Sequence, residues 1–224
     1  MTRTFSLLFL FLFLASCGGG GGGGNGASSS QMDANEVDNA TQVTDEDAAT
    51  DPAPTLAQTF DVNARLTGFS AANEDKVQKA IELIKKVVAS DKFKSRVLNF
   101  KYNGKKRFVD NNGLTNAQIY QKILEGAEKL SPEANNTMDV QLQTYYVDAN
   151  VIGYTMANIK TIYMNRKYLS SSSFPAYKVA MNMTHEWLHK LGFGHDSEAT
   201  ASRPYSVPYG VGYIMRDLAK TIDS

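Results

Sequence analysis

The stretch His185-Glu186-Trp187-Leu188-His189-Lys190-Leu191-Gly192-Phe193-Gly194-His195-Asp196 constrains the fold more than any other part of the chain, and it holds all three histidines of the 224 residues. The residues leading into it predict one long helix, opened at Phe174-Pro175, where proline suits a first turn, and running to about Leu191. On that helix positions 185 and 189 are four apart, so their side chains stand one above the other on one face. His195 joins them only if the chain reverses, and Gly192 is where a residue with positive φ is needed, with Gly194 a second permissive position. A fold for this chain must therefore seat a helix of about four to five turns and bend sharply beneath its C-terminal end.

What precedes the helix divides into three parts. Residues 1–16 carry one cation, Arg3, then an unbroken apolar run from Leu7 to Ala15, too short for a bilayer core that needs about 20 apolar residues but suited to a secretory signal. Leu14-Ala15-Ser16-Cys17 resembles the lipobox of bacterial lipoproteins, which implies lipid attached at Cys17 as the first mature residue. Cys17 is the only cysteine, so no internal disulfide forms and stability must come from an apolar core. Seven glycines, Gly18 to Gly24, follow, and then seven acids with no Lys or Arg between Asn25 and Gln58. Residues 17–58 therefore read as a disordered, acidic tether with an r.m.s. reach of about 35 Å.

The remaining 59–224 hold 22 of the 23 basic residues and 16 of the 23 acids, a net +6 hidden by the zero net charge of the whole chain. These charges are spread out, and no basic stripe with interleaved aromatics points to nucleic acid. The span suits one substantial core rather than two.

Within it, helical periodicity covers Asn73 to Ala89, and Arg96 to Tyr102 alternates like a strand. Thr115 to Gln118 is a capping box opening a helix through Ile119, Ile123, Ala127 and Leu130, with Pro132 closing it. Met138 to Tyr146 alternates as a strand with one wet face, and Val151–Thr155 and Lys160–Asn165 read as adjacent strands. The fold class expected from this mixture is α+β or α/β, a sheet with helices packed on it.

Three neutral imidazoles about 2.0 to 2.1 Å from a Zn²⁺ leave its fourth position for water, the mark of a catalytic rather than a structural site. Glu186, rotated by about 100° from His185 around the helix, is placed to take a proton from that water as it attacks a carbonyl, and to pass it to the departing amine. A bare HExxH arises often by accident. Here Gly192, His195 and Asp196 match as well, which makes coincidence rarer by a factor on the order of 10⁴ at about one in 20 per position.

Read as HExxHxxGxxHD, these residues resemble the metzincin clan of zinc endopeptidases, and Asp196 directly after the third histidine is similar to the adamalysin-type and matrix-metalloprotease-like branches. The resemblance is tight over residues 174–217, loose over 59–173 and absent from the tether. It implies a zincin domain: a twisted mixed sheet with an edge strand over the cleft, a backing helix, an active-site helix, and a small C-terminal subdomain with a methionine on a tight turn beneath the metal. Tyr213-Ile214-Met215 is the candidate for that turn. Gly153, Tyr154 and Thr155 lie where the family's edge strand pairs with extended substrate. The chain departs from the astacin-like and serralysin-like pattern in having Asp217 two residues after the methionine instead of tyrosine, which leaves Tyr209 and Tyr213 as candidates to assist the oxyanion. With no cysteine remaining, a cysteine-switch propeptide is excluded.

The expected activity is thus zinc-dependent endopeptidase, with one catalytic Zn²⁺ as cofactor and no calcium site assigned. Expected partners are a peptide or protein substrate and, through the N-terminal lipid, a membrane; the expected state is a monomer. Gly18 after the lipidated residue is not the aspartate that retains lipoproteins at the inner membrane, so the outer membrane or cell surface is the expected destination. Two other readings share the motif: a non-catalytic peptide-binding lipoprotein with the same metal site, and a hydrolase of cell-wall peptide crosslinks.

Overall fold

The computed structural model describes residues 29–33, 59–156 and 158–223; the signal-like segment, Cys17 and the glycine run lie outside them. The elements follow in the order β1 (Ser29–Asp33), β2 (Asp61–Thr67), α1 (Ala71–Val88), α2 (Asp91–Leu98), β3 (Lys101–Tyr102), β4 (Lys105–Lys106), α3 (Asn116–Glu125), β5 (Thr137–Tyr145), β6 (Val151–Met156), β7 (Thr161–Asn165), α4 (Arg166–Leu169), α5 (Ala176–Lys190) and α6 (Val207–Asp223), with a short 3₁₀ turn at Arg203–Tyr205. This is a mixed α+β fold.

The main sheet has the order β1-β6-β7-β5-β2. Strands β2, β5 and β7 run parallel to one another, whereas β6 is antiparallel to β7 and β1 is antiparallel to β6. Strand β5 shows why the sheet has one wet face: Met138, Val140 and Leu142 are buried while Gln141 and Gln143 are exposed. The buried face receives α1 at the β2 end and α5 at the β6 end, and the two helices also pack on each other. Trp187 of α5 joins this core edge-on to Phe60, and its indole N–H donates to buried Glu128 at 2.6 Å.

Four elements differ from the sequence expectations. The alternation over Arg96–Tyr102 is not a strand: Ser90 caps a helix by accepting from the Phe93 amide, and Phe93 and Val97, four apart, are both buried on it. Only Lys101–Tyr102 is extended, in a two-residue hairpin with Lys105–Lys106. The helix opened by Thr115 has both halves of its capping box, but it ends at Glu125 rather than near Leu130. Gly126 takes φ 67° there, and a Cβ on it would stand 2.1 Å from the Thr137 carbonyl oxygen. Replacing Gly126 by alanine is therefore expected to cost about 3 kcal/mol or more, seen as a Tm lower by about 6–12 °C in thermal unfolding.

The third difference is β1. Ser29–Asp33 falls inside the segment expected to be disordered, yet it pairs along β6, with Met32 fully buried. Composition argued against order because apolar residues are sparse there; one methionine and a ready-made strand edge supply what the local sequence lacks. The fourth is the C-terminal region, where residues 207–223 form one helix, so Met215 sits in a helix interior instead of on a tight turn.

Candidate metal centre

Helix α5 starts at Pro175, which occupies the N-cap, and is buried along nearly its whole length. It stops as expected. Gly192 has φ 98°, its amide bonds to the His189 carbonyl, and the next amide, Phe193, reaches back to the Leu188 carbonyl. A side chain at 192 would also meet the aliphatic end of Lys129 at 2.5 Å. Gly194 needs no such freedom: it is not at positive φ, and a Cβ there would meet nothing within 4 Å. The reversal between 191 and 193 is enough to return His195 to the helix.

The three imidazoles converge. Nε2 of His189 and Nε2 of His195 lie 3.3 and 3.2 Å from Nε2 of His185. All three ligand atoms lie within 4.8 Å of one another. Two nitrogens each about 2.05 Å from a tetrahedral ion are separated by about 3.3 Å, so the spacing about His185 suits a shared cation. The tautomers agree. His189 Nδ1 is 2.8 Å from the Phe193 carbonyl and His195 Nδ1 is 2.9 Å from the Asp196 carbonyl. A carbonyl only accepts, so each Nδ1 carries the hydrogen and each Nε2 presents a lone pair to the shared point.

Electrostatics keeps the rings in that form. Burial holds His185 well below the ordinary histidine range, helped by the neighbouring His189, His195 and Arg203; the Pro208 backbone opposes this slightly, although Nδ1 makes no hydrogen bond of standard geometry. Burial, with His195 second, brings His189 down to about 3. Both are neutral, and so competent to ligate, at neutral pH.

Glu186 is the other exceptional group. It is fully buried, and among the described residues neither carboxylate oxygen has a hydrogen-bond partner. Burial pushes its pKa well above the usual carboxylate range, with Lys190 opposing the shift. An orphaned buried carboxyl is costly and rare in folded proteins, and here it directly follows a histidine of the cluster. Asn182, Glu186 and Lys190 recur every four residues and form one stripe of α5. Lys190 Nζ ties that stripe to the β6–β7 connection by donating to the carbonyls of Met156, Ile159 and Thr161. Burial lowers the Lys190 ammonium to about 8.

Beneath the histidines lies a tyrosine. The ring of Tyr209 is 4.5 Å from that of His185, edge-on, and 4.8 Å from that of His195. Tyr209 is fully buried, and its hydroxyl accepts from the Arg203 guanidinium, which also lies over its ring. Gly212, one turn on, brings α6 against the His185 Cβ. Tyr209 thus serves as the floor of the cluster rather than as a free hydroxyl aimed at a reacting oxygen. Tyr213 is buried beside it, with the Arg216 guanidinium over its ring. Met215 is fully buried in the same helix.

Among the other expected positions, Asp196 meets the cluster through its backbone carbonyl, while its exposed side chain accepts from Thr200. Gly153, Tyr154 and Thr155 do form part of β6, but the outer edge of that strand is paired with β1. Gly153 and Thr155 are buried and pair with Met164 and Ile162, whereas Tyr154 stacks on Tyr163 on the other face. Sequence reasoning missed Asn182 and Lys190, which the four-residue spacing from Glu186 would have found, and Arg203 and Met32, for which it held no signal. Comparison of the chain with protein-family models, curated proteins and solved structures finds no match.

Proposed function

We propose that the chain is a zinc-dependent endopeptidase of metzincin type, exported and held at the cell envelope by lipid on Cys17. The observation that carries this reading is the pairing of three convergent imidazoles with a buried carboxyl group that has no hydrogen-bond partner among the described residues. The donor set fits zinc: three nitrogen ligands, two with their tautomer fixed by carbonyl acceptors, match a catalytic site rather than a closed structural one.

His185, His189 and His195 would hold a zinc ion, whose Lewis acidity would lower the pKa of a water toward 7 and polarise the scissile carbonyl. Glu186 takes the proton from the attacking water as the O–C bond forms, and returns it to the nitrogen as the C–N bond breaks. Tyr209 and the carbonyls of Phe193 and Asp196 fix the imidazoles in position. The metzincin assignment rests on the spacing from His185 to Asp196; the methionine turn does not contribute to it, because Met215 lies within α6.

Residues 59–224 are expected to bind one zinc per chain and to cleave a peptide library in a chelator-sensitive manner, read by metal analysis and mass spectrometry of the products. Zinc binding with no cleavage of any peptide would favour the non-catalytic binding lipoprotein. Release of crosslink peptides from purified cell wall alone would favour the wall hydrolase.

A further inference from the structure

The β6 edge is where an extended peptide would add to the sheet, because backbone N–H and C=O groups there face outward irrespective of side chain. In this chain the edge is taken. Residues 29–33 run antiparallel to β6 with Ser29 opposite Met156, Ser30 opposite Thr155, Gln31 opposite Tyr154, Met32 opposite Gly153 and Asp33 opposite Val151. Met32 anchors the segment. It is fully buried, and its sulfur accepts from Asn182 Nδ2 at 3.5 Å. Asn182 lies one turn before His185 and Glu186 on α5, so the anchor sits beside the stripe that carries the unpartnered carboxylate. Gly153 leaves room for this contact, since a Cβ there would stand 2.7 Å from Asn182 Oδ1.

We propose that residues 29–33 are a built-in mask, a strand of the protein's own tether that occupies the peptide-binding edge and keeps the site latent until it is displaced. This rests on the endopeptidase reading for the identity of what is excluded. The connection permits it: crossing the four strand spacings from β1 to β2 requires about 19 Å, and the 25 residues from 34 to 58 span up to about 85 Å. A segment tethered in this way competes at an effective concentration on the order of millimolar, enough to exclude peptides of ordinary affinity.

The pairing is also built to be reversible. It is five residues long, is broken by a register shift after Met32, and has one large apolar side chain. A single cut within residues 34–58 removes the effective concentration and leaves the strand free to leave. With lipid on Cys17, that same cut frees the domain from its anchor, so unmasking and release become one event.

The test uses the mature chain from Cys17 to Ser224 in three further forms: Met32→Asp, which places a charge in the buried position; Met32→Leu, which keeps an apolar anchor; and a form carrying a site-specific protease recognition sequence within residues 40–50, assayed after cutting. The last leaves every described residue unchanged. Each is loaded with zinc and assayed for hydrolysis of a quenched extended peptide and for binding of a labelled, non-cleavable peptide by anisotropy. The cut form and Met32→Asp are expected to bind and hydrolyse at least about tenfold better than the parent, with Met32→Leu at the parent's level. Equal Glu186-dependent hydrolysis in all forms would overturn the mask and leave the peptidase intact. Tighter peptide binding in the opened forms without hydrolysis would support the mask and sink the peptidase. Equal peptide binding by the cut and uncut chains overturns the mask, whatever the hydrolysis.

Discussion

Glu186→Gln is expected to keep one zinc per chain and to lose peptide hydrolysis by about 10²- to 10⁴-fold, the range a positioned general base contributes. Gln fills the same volume and cannot accept a proton. Both Glu186 oxygens lack partners among the described residues in a fully buried position, so an amide there costs no hydrogen bond that the carboxyl group was making to them. Burial already disfavours the charged form, and removing the charge is expected to leave Tm equal or higher at neutral pH. The pattern of unchanged metal content, unchanged or higher stability and lost turnover separates a catalytic group from a structural one. Parallel measurement of zinc by mass spectrometry, Tm by calorimetry and kcat/KM on one quenched peptide checks it. Turnover equal to that of the parent would remove Glu186 from the chemistry.

The second large effect concerns the ligands. His189 donates to the Phe193 carbonyl and presents its other nitrogen to the cluster, so His189→Ala removes one arm of the tripod. Zinc affinity is expected to fall by more than the roughly 10- to 100-fold that follows loss of an outer hydrogen bond to a ligand. In the parent, free zinc at 1,000 times its Kd stabilises the native state by about 4.1 kcal/mol, corresponding to a Tm higher by about 8–16 °C than in chelator. That zinc-dependent shift is expected to disappear in His189→Ala. A persistent shift of full size would place the metal elsewhere, and isothermal titration of both proteins checks the stoichiometry directly.

These effects depend on side chains that were readable in very different degrees. Periodicity placed α1 and β5, whose buried faces repeat at 3.6 and 2 residues; β6 and β7 were legible as β-prone runs separated by turn-forming residues, and α5 from Pro175 at its start and Gly192 at its end. Arg96–Tyr102 misled because seven residues satisfy both periods, and the tie was broken by Ser90 capping a helix whose Phe93 and Val97 meet the core. Met215 misled for a related reason. The turn follows from a family pattern, whereas Tyr209, Gly212 and Met215 all lie in one helix that is buried without a break from Val207 to Met215.

The sequence by itself determined the histidine cluster and the reversal that completes it, since four-residue spacing on a helix and a left-handed glycine at 192 are local consequences of backbone geometry. It also shows that residues 25–58 carry seven acids and no Lys or Arg while residues 59–224 are net positive, which follows from counting charges. Only the tertiary structure decided that Tyr209 forms the floor, that Glu186 is left without a partner, and that Ser29–Asp33 lies along β6. The first and last of those join residues far apart in the chain, and what fixes all three is burial and the pairing of open backbone groups, neither of which is encoded in the few residues on either side.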